Sequence, residues 1–187
     1  MIPLPQQPNV ILEEGNRGIF EIEGLYPGFG NTLGNAMRRV LLSSLEGAAI
    51  TSVKIEGVNH EFSTIPGIPE DVIEITLNLK QVRFKMHGDG PYTATLNIKG
   101  EKKADAGDIK TPSQLEVVNP DQHIVTIADK KGGVSMEFTV EKGLGYQPIE
   151  ARTKEKVAIG VVALDAAFSP VKVVNFDVEN MRGGDRT

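Results

Sequence analysis

The sequence predicts an α+β fold. Three observations predict it: one glycine-led segment with helical periodicity near the N-terminus, period-two alternation of apolar and polar residues through most of the rest, and Gly, Pro and Asp punctuation between those runs. At 187 residues with 40% hydrophobic content, the chain can bury one large core or two small ones.

The first run, Gly18 to Leu25, predicts a strand with Phe20 and Ile22 on one face. The helical segment follows, Gly28-Phe29-Gly30-Asn31-Thr32-Leu33-Gly34-Asn35-Ala36-Met37-Arg38-Arg39-Val40-Leu41-Leu42-Ser43-Ser44. Asn31 or Thr32 can cap its start and Gly47 can end it. At about 100° per residue, Leu33, Ala36, Met37, Val40, Leu41, Ser44 and Leu45 fall on one side. Asn35, Arg38, Arg39 and Leu42 fall opposite. A leucine between arginines has the composition of a binding hot spot; it is equally the composition of a solvated face with one apolar residue.

The glycines also invite a phosphate cradle at a helix N-terminus. The spacing argues against it. A dinucleotide fingerprint would need glycine where Leu33 stands, and a P-loop would need Lys-Ser/Thr where Asn35-Ala36 stands. A tight turn is the better reading.

Further on, Ile50 to Val58 predicts a strand. Residues 70–80 carry two signals. Pro69-Glu70-Asp71 opens like a helix, yet Ile73, Ile75, Leu77 and Leu79 alternate with polar residues as in a strand. Physical pattern alone leaves helix or strand open over 72–80. Val82, Phe84 and Met86, then Tyr92, Ala94, Leu96 and Ile98, flank Gly88-Asp89-Gly90-Pro91 and predict a hairpin. Glu101 to Ser113 is polar and predicts a surface loop or a short extension. A second hairpin is predicted between Ile124–Ile127 and Val134–Val140, with Val134, Met136, Phe138 and Val140 facing inward. Gly143-Leu144-Gly145-Tyr146 before Pro148 reads as a binding loop or as plain punctuation. Val174, Phe176 and Val178 predict a last strand. No internal repeat is visible.

Composition narrows function. A net charge of −5 does not favour holding polyanions by bulk attraction. Without cysteine there is no disulfide framework and no thiolate metal site. No tryptophan and 5% aromatics argue against base-stacking platforms. No apolar run is long enough to span a bilayer, and Met1-Ile2-Pro3-Leu4-Pro5 is unlike a secretion signal, so no membrane association and a cytoplasmic location are expected. His60, His87 and His123 lie far apart in no ligand spacing, no Gly-x-Ser-x-Gly is present, and the acidic pairs Glu13-Glu14 and Glu70-Asp71 read as solvated acids. The expectation is no catalytic residue, no metal and no cofactor. A phosphate-binding or small-molecule module built on the glycine turn is the alternative.

Five stretches, Gly28 to Ser44, Gly57 to Thr64, Glu70 to Lys80, Gly143 to Pro148 and Leu164 to Glu179, together resemble the N-terminal domain of the alpha subunit of bacterial DNA-directed RNA polymerase, in family order over nearly the whole chain. The resemblance implies a non-catalytic scaffold of a nucleotidyltransferase complex that serves DNA-templated transcription. It implies a dimerisation subdomain of helices packed on an antiparallel sheet, from residues 1–47 and 170–187, with a β-rich subdomain, 48–169, inserted. It implies a homodimer seam through Leu33, Met37, Val40 and Leu41. It further implies binding of the beta subunit by Arg38, Arg39 and Leu42, and of beta-prime by Lys80 and Leu164. It also implies that residues 70–80 are helical.

Departures from the family pattern accompany it. Family members continue past Arg186-Thr187 into a strand, a long helix that completes the dimer interface, and a DNA-binding C-terminal domain. Dimerisation by this length of chain is therefore expected to be compromised, and direct DNA contact is not expected. Leu144 stands where the family often has arginine, and Gly183 where a β-branched residue is usual.

Overall fold

A computed structural model describes residues 5–152, 158 and 160–180. Residues 1–4 and Gly183, on which expectations were placed, lie outside them. The chain is mixed α/β, mostly antiparallel strands with few helices. It divides into two compact units, one from Met1–Leu41 with Val173–Thr187 and one from Leu42–Lys172.

The first unit contains strands β1 (Asn9–Glu14) and β2 (Arg17–Glu21) and most of helix α1 (Phe29–Ser43). β1 and β2 form an antiparallel hairpin that slips register between Val10 and Leu12. α1 starts earlier than the capping residues predicted. Gly28, at φ 86°, makes the turn that no L side chain adopts cheaply, and the Phe29 N–H bonds the Tyr26 carbonyl at 3.0 Å.

Gly30 and Gly34 therefore lie inside the helix, four apart on one side. A Cβ on Gly30 would come within 2.6 Å of Val178, and one on Gly34 would collide with the Phe176 ring. These glycines seat the 173–180 segment. That segment forms no strand, although Val174 and Phe176 are half-buried and Asn175 between them is exposed.

The second unit is built on β3 (Glu46–Ile55). The remaining elements follow in order: α2 (Val72–Leu79), β4 (Phe84–Met86), β5 (Tyr92–Lys99), β6 (Lys102–Asp105), β7 (Leu115–Val117), β8 (His123–Ile127), β9 (Gly133–Leu144), β10 (Tyr146–Gln147), α3 (Ile149–Arg152), β11 (Val161–Ala163) and β12 (Ala166–Ala167). The main sheet runs β5-β9-β3-β4-β7, with β11 also pairing β3; β6-β8 and β10-β12 are separate pairs.

Both predicted hairpins are absent. β4 pairs with β3 and β7, while β5 pairs with β9 two strands away. β8 pairs with β6, not with β9. The reason is β9: at twelve residues it offers both edges to long partners, β3 and β5, and buries Val134, Met136, Phe138 and Val140 between them. Ladders of that length outweigh a local turn. The Glu101–Ser113 loop is likewise corrected, since it holds β6 and buries Ala104, Ala106 and Ile109.

Over residues 72–80 the helix wins. Asp71 caps it, its carboxylate accepting from the Glu74 N–H at 2.7 Å. Val72, Ile75, Thr76 and Leu79 then turn inward and join Ile124, Val125 and Ile127 of β8 and the sheet face in one core. The alternating Ile73 and Leu77 are left outside. Gly47 ends no helix; it sits in β3 opposite Gly143 of β9, and a Cβ on either would run into Phe168. That glycine pair makes room for Phe168, which is buried with Ala49 and Ala166.

Candidate functional site

Two surfaces carry the predicted binding residues, and each is described within its own unit. On α1 no residue is buried. Of the predicted seam, Leu33 and Leu41 are half-buried, while Met37 and Val40 are 41% and 50% exposed. Among the described residues, the apolar stripe thus lacks a full cover. Arg38 and Arg39 are exposed and Leu42 is half-buried. Exposure does not separate the two predicted faces: Ala36, Met37 and Val40 of the apolar side are exposed, whereas Leu42 of the opposite side is half-buried. Val178 and Phe176 fill the space beside Gly30 and Gly34.

The second surface lies at the end of α2. Lys80 is the C-cap, where a cation meets the negative end of the helix. Its Nζ donates to Asp165 Oδ2 at 2.9 Å, and the Ile149 N–H donates to Asp165 Oδ1 at 3.1 Å. Arg83 crosses the same helix end, its Nη1 donating to the Lys80 carbonyl at 2.8 Å. The Lys80 hydrogen bond, then that of the Ile149 N–H, hold the Asp165 carboxyl below the usual carboxylate range.

Leu164 requires a correction. It is 1% exposed and part of the core, with its N–H bonded to the Thr51 carbonyl at 2.9 Å. Its side chain cannot reach a partner; what the turn presents beside Lys80 is Asp165. Arg152 secures that turn by donating to the Leu164 carbonyl and pairing with Glu141 at 3.6 Å.

One cluster has no counterpart in the sequence reading. His123 Nε2 lies 3.0 Å from Glu70 Oε1, and Nδ1 lies 3.5 Å from Asp105 Oδ1. Glu70 also accepts from the Thr126 N–H. Burial alone would push the Glu70 carboxyl up; the hydrogen bonds from His123 and Thr126 outweigh it and hold it low. Glu70 therefore pins the start of α2 to β8, a structural role. Among the described residues, no group of three His, Cys, Asp or Glu side chains is arranged to hold a metal, and no helix is long and apolar enough to cross a membrane.

The fold defines a class: a β-rich unit lying in sequence between the two parts of a smaller unit. The chain belongs to the family of the RNA polymerase Rpb3/RpoA insert domain, whose model matches residues 53–169. It is 50% identical to the DNA-directed RNA polymerase subunit alpha of Symbiobacterium thermophilum over 184 residues, covering 98% of this chain and 58% of that one. It is 49% identical to the subunit of Roseiflexus sp. over 178 residues, covering 95% and 54%. With that of Geobacter metallireducens it shares 52% over 170 residues, covering 91% and 50%. The chain spans about half the length of the curated relatives it matches.

Proposed function

We propose that this chain acts as a non-catalytic assembly scaffold of DNA-directed RNA polymerase in the cytoplasm. The unit that includes α1 pairs two copies through Leu33, Met37, Val40 and Leu41. Arg38, Arg39 and Leu42 capture the beta subunit, and the surface around Lys80 captures beta-prime. The unit of residues 42–172 is the inserted β-rich subdomain. The observation that carries this reading is α1, a helix with two differently composed faces and no buried residue. The names of the relatives support the same role. Exposed apolar area on a helix is stable in water only in small patches and is a natural seam between protein surfaces.

The test is capture of beta by the chain. Arg39→Ala should weaken it by about 2 kcal/mol, as truncation of an interfacial arginine does, with the thermal transition of the chain unchanged. Capture equal to that of the unaltered chain would refute the assignment of this face to beta.

A further inference from the structure

We infer that Asp165 is a positioning residue for Lys80, and that Tyr146 is the aromatic anchor of the same docking surface, which fits a protein partner offering hydrogen-bond acceptors beside apolar area. The inference rests on the reading above that Lys80 meets beta-prime.

Two elements converge on one carboxylate. Asp165 stands between β11 and β12. One of its oxygens takes the Lys80 ammonium at the end of α2, and the other takes the Ile149 N–H. β10 is held beside β12 by the pairing of Tyr146 with Ala167, which sets Tyr146 next to the Asp165 turn. Partial desolvation, with the adjacent Asp165 carboxylate, raises the Tyr146 phenol above its ordinary range.

The arrangement has consequences for recognition. A lysine side chain in water samples many rotamers, and ordering it on binding costs affinity. Here Asp165 orders it in advance. An ammonium has three donors; one is spent on Asp165, which leaves two for a partner on a side chain that is 30% exposed. Because the pair is neutral as a whole, the site selects for placed acceptors and not for bulk negative charge. Tyr146 is 64% exposed. What it offers a partner is its ring face, the kind of rigid apolar area that anchors interfaces.

The experiment measures capture of beta-prime by the full chain carrying Lys80→Ala, Asp165→Asn, both together, Tyr146→Ala or Tyr146→Phe. Lys80→Ala and Tyr146→Ala should each weaken capture about tenfold, and Asp165→Asn about three- to tenfold, with Tyr146→Phe nearer to the unaltered chain. Asp165→Asn should add less than about twofold on top of Lys80→Ala, because residues acting as one unit are not additive. Acylation of Lys80, followed by mass spectrometry on the folded chain, should speed up in Asp165→Asn as the amine is released. Three results would overturn the inference: full additivity of the two substitutions, Lys80 acylation unchanged in Asp165→Asn, or normal capture by Tyr146→Ala. Normal capture by Lys80→Ala would overturn the reading on which it rests.

Discussion

Phe20, Met37 and Val40 in the first unit are chemically akin to Phe138, Met136 and Val140 in the second, yet they live in opposite settings. The first three are at least 41% exposed; the second three are at most 2% exposed. Among the described residues of the first unit none is buried, whereas the second unit closes a continuous core from sheet, helix and β8. Equal hydrophobicity therefore serves two ends. In the second unit it holds a fold together; in the first much of it stays exposed.

The sharpest way to break this comparison is in the core of the second unit. Phe138→Ala should cost about 3–5 kcal/mol in denaturant unfolding, since it opens a cavity where β9 meets two strands. Met37→Ala in the isolated chain should stay within about 0.5 kcal/mol, as exposed substitutions do. Similar costs for both would erase the distinction.

The next effect tests how the first unit is held. Acidifying the whole chain comes with it as a control on the second. Gly34→Ala removes the room that Phe176 occupies. Helix propensity alone would favour alanine by about 1 kcal/mol, so helicity should rise while residues 173–180 become readily cleaved by protease. Unchanged cleavage would show that Phe176 does not depend on Gly34.

In the second unit, Asp108, Asp165 and Glu70 have depressed carboxyl pKa values; the Lys102 hydrogen bond is the largest cause for Asp108 and that of Lys80 for Asp165. The unfolded chain then binds protons at higher pH than the folded one. Stability from these groups is present near neutrality and is lost as the pH falls below about 4. Flat stability through that window, followed by thermal unfolding against pH, would contradict the pairings.

The smallest effect is at the helix cap. Asp71→Ala should cost about 1 kcal/mol, read as a lower transition temperature with the native fold retained. No loss at all would mean that core burial alone fixes α2.

What was legible in the sequence divides along physical lines. The inward faces of β5 and β9 could be read from alternation, because a side chain's face depends on its own strand. Which strands pair could not, because Phe138 opposite Ala94 is decided by competition among distant segments. The start of α1 was misjudged because Gly30 and Gly34 look like turn residues until Val178 and Phe176 are placed beside them. For the predicted binding surfaces, periodicity sorted α1 by composition but not by exposure, since Met37 and Val40 are exposed and Leu42 is half-buried, and Lys80 came into view through family resemblance alone. Asp165 gave no signal, since its partner lies 85 residues earlier. The Glu70–His123 contact was hidden in the same way, across 53 residues.

The segment Val72–Leu79, Val-Ile-Glu-Ile-Thr-Leu-Asn-Leu, forms α2 in the folded chain while keeping the composition of a strand. In an unfolded or newly made chain it is a window rich in β-branched residues, with one charge and no proline, the kind that stacks into cross-β ribbons. Glu74 and Asn78 interrupt it as gatekeepers, and the Asp71 cap commits it to helix using only neighbouring atoms, before β8 is available to cover it. Chaperone demand and aggregation during synthesis should accordingly track the acids at the start of this helix more closely than they track the stability of the finished fold.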